Sequence, residues 1–216
     1  MELRIELAQV GLVGFNHRMD EREKEFWDER YRSGRTPWDY GGTPPEWEAF
    51  VRSLPAGRRI LVPGCGSGYE IETALAKSHE VVGIDLSEAA VARVRRRLGG
   101  KGECVEAGDF FSHAFGETAF DVVYERTFLC ALDRELWPEY ARRMAGLLAP
   151  GGVLVGYYFY GHEPDPPPYP LRPGELEQLL GIAFTRLEQR ASSRPLPFFE
   201  GGETWEMWRR EGNLEL

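Results

Sequence analysis

No run of about 18 apolar residues occurs in this 216-residue chain, so no membrane-spanning helix can be drawn from it. Lysine is nearly absent, with Lys24, Lys77 and Lys101 alone against a background of arginine. Positive charge is short overall: the formal net charge of −9 argues against a sequence-independent grip on nucleic acid. The one basic run, Arg93, Arg95, Arg96 and Arg97, reads as the solvated face of a helix. Cysteine is limited to Cys65, Cys104 and Cys130, widely separated and in no metal-ligand spacing. His17, His79, His113 and His162 are equally dispersed, so no metal site is expected. The opening MELRIELAQVGLVGF carries Glu2, Arg4 and Glu6 and lacks a small-residue cleavage site. A soluble, cytoplasmic protein with reduced thiols is expected.

Apolar residues make up 42% of the chain, enough for one full-sized core, and a single domain over 1–216 is expected. Three parts are visible: an aromatic-rich leader (1–55), a strand–helix core (57–160) and a proline-interrupted tail (161–216). The leader predicts a helix over Arg22–Tyr31 and a second opening at Thr43-Pro44-Pro45-Glu46. There Thr43 and Glu46 have capping-box spacing and Pro44 suits the first helical position. The core shows short apolar runs at Arg59–Val62, Val81–Ile84, Glu103–Glu106, Phe120–Tyr124 and Val153–Phe159. Continuous rather than alternating apolar runs suit parallel strands buried on both faces. Between them Val91, Val94 and Leu98 share one helical face. Leu136, Tyr140, Met144, Leu147 and Leu148 form a longer stripe behind Asp133, a candidate N-cap, and the stripe stops at APGG. The fold class is therefore α/β, a doubly wound, mostly parallel sheet under an N-terminal helical cover. A short helix over Gly174–Leu180 and strands at Phe184–Gln189 and Glu203–Arg209 supply an antiparallel edge.

The first of these runs enters Gly64-Cys65-Gly66-Ser67-Gly68, and a helix follows. Glycines let a backbone approach a ligand, and a helix N-terminus presents unpaired N–H groups. A dinucleotide site calls for G-x-G-x-x-G, whereas Tyr69 stands at that sixth place here. The tighter loop suits an amino-acid-bearing nucleoside better than a pyrophosphate. Asp85 ends the second run, 21 residues after Gly64, where a carboxylate accepts hydrogen bonds from ribose hydroxyls; Leu86 adjoins it. Asp109, in AGDFF after the third run, is placed to receive an exocyclic amine while Phe110 packs near the ring. All these features fall at the carboxyl ends of successive strands, where open α/β sheets bind ligands.

The glycine loop, GID and GDFF resemble the motifs of class I S-adenosylmethionine-dependent methyltransferases, whose sheet has seven strands. FWDERYRSGRTPWDYG, VPGCGSGYE, FDVVYERTFLCAL, YARRMAGLLAPGG and PDPPPYPL resemble, more narrowly, the thiopurine methyltransferase superfamily and its halide and thiol methyltransferase branch. The likeness spans roughly Phe26 to Arg210. It implies S-adenosylmethionine as cofactor and a small-molecule methyl acceptor, best a halide, thiocyanate, thiol or thiopurine. An oxygen- or nitrogen-directed enzyme and a non-catalytic binding protein stay open. It also implies that Trp27, Tyr31 and Trp38 cover the cofactor, a tryptophan face attracting the sulfonium cation by about 0.5–2 kcal/mol. The family commonly has tryptophan where Tyr31 stands. Glu125 holds the place of a family aspartate, and Arg126 is expected to face the methyl-transfer site and hold an anionic nucleophile. The loop 161–174 is expected to form part of the acceptor pocket, with Tyr169 in contact. Residues 1–18 fall outside the likeness, and Met19 is an alternative start.

Overall fold

The computed structural model describes residues 21–163, 166–199 and 202–212. The first 18 residues, Met19, and Pro164 and Asp165 of the proline-rich loop lie outside them.

Seven strands form one sheet. They are β1 (Arg59–Pro63), β2 (Glu80–Asp85), β3 (Val105–Ala107), β4 (Phe120–Arg126), β5 (Leu148–Phe159), β6 (Phe184–Ala191) and β7 (Glu203–Arg210). Their order is β3-β2-β1-β4-β5-β7-β6. β1 to β5 are parallel, while β7 runs antiparallel to both β5 and β6. The antiparallel tail pair thus forms, with the second of the two strands inserted next to β5. The strand order reverses between β1 and β4, which opens a crevice at their carboxyl ends.

The apolar runs behave as two-faced strands. Ile60, Leu61 and Val62 are all buried, Leu61 toward one core and Ile60 and Val62 toward the other. The first core takes Tyr140 and Met144 of α5 (Trp137–Leu147) and Leu176 of α6 (Glu175–Leu180). The second takes Trp47 and Val51 of α2 (Pro45–Ser53), Ile71 of α3 (Tyr69–Ala76), and Val91 and Val94 of α4 (Glu88–Leu98). The leader helix α1 (Glu21–Ser33) packs on α4.

Four local expectations are corrected. The capping box at Thr43 does not form: Pro44 is the N-cap of α2 and Pro45 its first residue. Thr43 instead pairs its hydroxyl with that of Thr73 at 2.6 Å, and the buried Glu46 accepts from the Tyr157 hydroxyl at 2.7 Å and the Ser193 N–H at 2.7 Å. β3 starts at Val105 rather than Glu103, because Gly99–Cys104 coils into a 3-10 turn with Gly102 pressed on the Arg95 backbone. APGG does not separate α5 from β5. It is a bulge inside β5, between the pairs Phe120–Leu148 and Val122–Val153. Asp133 starts a 3-10 turn over Arg134–Leu136 without a side-chain cap, and α5 begins only at Trp137. Among the described residues no helix is long and apolar enough to cross a membrane.

Candidate active site

The loop after β1 runs at positive φ at all three of its glycines. Two have steric reasons. A Cβ on Gly66 would meet the Tyr31 hydroxyl at 2.8 Å, so its bareness lets α1 close on the loop. A Cβ on Gly68, where φ is +70°, would meet Val94 Cγ1 at 2.5 Å, so this glycine seats the start of α3 against α4. Asp85 holds the loop from β2: its Oδ2 accepts the Gly66 N–H at 2.8 Å and its Oδ1 the Ser87 N–H at 2.9 Å. Burial pushes its carboxyl up to about 6, against the lowering effect of those N–H groups and with repulsion from Asp28 added.

Asp28, which sequence reasoning passed over, is the anchor of the leader. It is 3% exposed. Its Oδ1 accepts from the Ser87 hydroxyl at 2.6 Å and the Ala89 N–H at 3.0 Å, and its Oδ2 from Arg32 at 2.9 Å. Burial alone would raise its carboxyl; these donors hold it below the ordinary value. One carboxylate of α1 therefore serves the N-terminus of α4 beside Asp85. The only signal in the sequence was an acidic residue between two aromatics, Trp27 and Tyr31, on a highly charged helix.

That anchor sets the aromatics over the crevice. Trp27 and Trp38 meet edge to face, with centroids 5.3 Å apart, and the Trp38 indole N–H donates to the Tyr31 hydroxyl at 3.3 Å. Beneath them lies a cavity of about 590 Å³, within the size range of small-molecule sites. Its walls bring together Trp27, Tyr31, Trp38, Gly64, Asp85 and Leu86, and also Asp109 and Phe110. Asp109 is partly committed, since its oxygens accept from the Phe111 N–H and the Ser112 hydroxyl, both at 2.9 Å. Phe110 stands edge-on to Phe128, with centroids 5.1 Å apart. The lining also takes in Thr127, Phe128, Cys130, Pro166 to Pro168 and Phe199, and the charged Glu23, Arg30 and Arg35.

A smaller pocket of about 60 Å³ adjoins it, lined by Tyr31, Trp38, Cys65, Gly66, Glu70 and Arg126. Arg126 therefore sits beside the glycine loop rather than on the large cavity. Its guanidinium forks onto Glu203, Nε to Oε1 and Nη2 to Oε2, both at 2.8 Å. It lies between the rings of Tyr40 and Tyr157. The third nitrogen, Nη1, is buried without a partner. Glu203 is 77 residues downstream, at the first position of β7, and no motif pointed to it.

Three expected site residues fall elsewhere. Gly68 packs on Val94 and lines neither cavity. Tyr169 donates its hydroxyl to Asp133 at 2.6 Å and leaves the large cavity to the prolines before it. Glu125 faces a third, inner space together with Tyr169.

The sheet order, with β7 reversed between β5 and β6, and a nucleoside-sized cavity across the switch point are those of an S-adenosylmethionine-dependent methyltransferase. The donor set fits that cofactor: Arg126 Nη1 is a buried donor without a partner beside the loop, where an amino-acid carboxylate would enter. The sequence profile of the thiopurine S-methyltransferase family matches residues 22–200, and the chain belongs to that family. It is 35% identical over 173 residues to the probable thiol methyltransferase 2 of Arabidopsis thaliana, covering 77% of this chain and 76% of that one. It is 29% identical over 199 residues to thiocyanate methyltransferase 1 of the same plant, covering 87% and 86%. In fold it is similar to the Burkholderia thailandensis 1,6-didemethyltoxoflavin-N1-methyltransferase, solved with 1,6-didemethyltoxoflavin and S-adenosylhomocysteine bound. The TM-score is 0.71 and the identity 22%, over 88% of this chain and 87% of that one.

Proposed function

We propose that the protein methylates a small, soft nucleophile of the thiol, thiocyanate or halide class, as a cytoplasmic enzyme. The carrying observation is the division of labour between the two cavities. The small pocket holds Arg126, a buried cation whose Nη1 has no partner, beside the glycine loop. Thr127, Phe128, Cys130, three prolines and Phe199 give the large one an uncharged stretch of wall, while its charged lining is Glu23, Arg30, Arg35, Asp85 and Asp109. Polarisable sulfur or a heavy halide tolerates such a wall better than a well-hydrated oxygen or nitrogen nucleophile does. The names of the plant relatives, thiol and thiocyanate methyltransferases, support the same class.

In this reading Asp85 holds the cofactor ribose, Leu86, Asp109 and Phe110 the adenine, and the glycine loop with Arg126 Nη1 the methionine end. Trp27, Tyr31 and Trp38 cover the site. The cofactor supplies a methyl group on a positively charged sulfur, activated without a metal. The chain's own residues orient it, stabilise its charge with aromatic faces and exclude water. Arg126, already neutralised by Glu203, is a cofactor ligand here rather than a holder of the acceptor. The free thiols Cys65, Cys104 and Cys130 suit a reducing compartment. The test is a radiolabelled methyl-transfer panel of iodide, thiocyanate, hydrosulfide, alkyl thiols, thiopurines, a phenol and an amine. Turnover of sulfur or halide acceptors is expected; turnover confined to the phenol or the amine overturns the reading.

A further inference from the structure

Adjoining the large cavity is an inner one of about 10 Å³, the lower limit for a single water, which shares its lining at Thr127 and Cys130. Glu125, Thr127, Cys130, Tyr158 and Tyr169 line it. Thr127 borders the small pocket as well, so it stands where all three spaces meet.

Two features of this junction exceed structural need. Glu125 is 1% exposed, and its Oε2 accepts the N–H groups of Phe128 at 3.0 Å and Leu129 at 3.3 Å. Its Oε1 is buried without a partner, although buried polar atoms are ordinarily satisfied. Thr127 holds φ at +61°, a costly conformation for a β-branched residue, and its hydroxyl makes no hydrogen bond among the described residues. The turn is fixed from three sides: by Arg126 on Glu203, by Phe128 against Gly64, and by the Glu125 carboxylate.

We propose that Thr127 and Glu125 form a proton relay for acceptors that carry an S–H bond. The Thr127 hydroxyl contacts the acceptor sulfur and passes its proton inward, through one water in the inner cavity, to Glu125 Oε1. The proposal rests on the sulfur-directed reading above. In the transfer the acceptor sulfur bonds to the methyl carbon. The bond from that carbon to the sulfonium breaks, with its electron pair going to the departing sulfide. The S–H proton ends on Glu125, which returns it to solvent between turnovers.

Burial pushes the Glu125 carboxyl up to about 8; the Leu129 and Phe128 N–H groups oppose the rise and Glu203 adds to it. At pH 7 about one Glu125 in ten is ionised and able to take the proton; a cysteine-like thiol ionises near 8.5, so the hop to that fraction is close to level. The other groups facing Glu125 do not compete. Cys130 after β4, Tyr140 on α5 and Tyr158 on β5 are all held protonated, chiefly by burial. Glu203 on β7 is paired with Arg126, and Tyr169 is bonded to Asp133.

The test compares methyl transfer to 2-mercaptoethanol and to thiocyanate, which has no proton to lose, at pH 7. The thiol-to-thiocyanate ratio of kcat is expected to fall at least about tenfold in Glu125→Gln and in Thr127→Val, and to return in Thr127→Ser. An unchanged ratio overturns the relay, whether both rates fall together or neither does. Thermal melts give a second readout. The folded protein keeps the Glu125 proton up to about pH 8, whereas the unfolded chain releases it near 4.3. Wild type should therefore lose stability as pH rises across that window, and Glu125→Gln should lose less. Identical slopes overturn the assignment of Glu125. A wild type that methylates neither acceptor instead defeats the sulfur-directed reading itself.

Discussion

Asp85 links loop geometry, cofactor affinity and pH, and a single titration tests all three. In the empty protein its carboxyl is pushed up to about 6 by burial, with only two N–H donors to offset the lost water. Ribose hydroxyls donate to the ionised form and so pull that value down on binding. By linkage, affinity for S-adenosylhomocysteine should be level above pH 7 and fall as pH drops through 6. At pH 5 about one carboxylate in ten is ionised, so the dissociation constant should rise about tenfold between pH 7.5 and 5, or about 1.4 kcal/mol. Stability of the empty protein runs the other way. A carboxyl raised from 3.8 to about 6 binds its proton more tightly folded than unfolded, so stability is lost as pH rises through that window, by about 3 kcal/mol at most. Calorimetry at pH 5, 6, 7 and 8, in two buffers of different ionisation enthalpy, reads affinity and the proton released near pH 6. Asp85→Asn should bind more weakly and show no such slope. A flat wild-type profile, or equal affinity in the asparagine variant, would refute the placement of ribose on Asp85.

Asp28→Ala should unfasten α1 by leaving Ser87, Ala89 and Arg32 without their shared acceptor, at about 1–3 kcal/mol. Limited proteolysis should then cut within 24–42 even with S-adenosylhomocysteine present, while wild type is protected and its Trp27 and Trp38 fluorescence quenched; equal protection of the variant counts against the anchor. Gly68→Ala should lower the melting temperature sharply, because a methyl there meets Val94 at 2.5 Å and φ is positive; adding Val94→Ala should recover part of the loss. Arg126→Ala should destabilise the fold by about 3–5 kcal/mol, since it strands the buried Glu203. Arg126→Lys should keep more of the fold and still weaken cofactor binding in calorimetry, and undiminished affinity would remove Arg126 from the methionine end.

What was legible in advance was whatever is encoded in neighbouring residues. Ile60-Leu61-Val62 reads as a two-faced strand because three consecutive apolar residues need two cores. Gly64 to Gly68 and Asp85 read as a ligand loop and its acceptor, and they are joined through the Gly66 N–H. Features made across the chain were not legible. The Thr43–Glu46 spacing mimics a local cap, yet Glu46 serves Tyr157, 111 residues away. Arg126 has a strand-end position that suits an acceptor site. Only the insertion of β7 beside β5 brings Glu203 to it. Nothing in the sequence signalled that Tyr169 would give its hydroxyl to Asp133, 36 residues away.

The place of β7 also ties the sheet edge to the small pocket. β6 precedes β7 in the chain but pairs only with it, so β6 joins the sheet only through the later strand. Without β7, Arg126 would lack its counter-charge, and the loop from Ser192 to Phe199 would lack the Glu203 carboxylate that fastens it at Leu196. A nascent or C-terminally shortened chain could therefore build most of the nucleoside floor from β1, β2 and β3 while its methionine end stayed unformed.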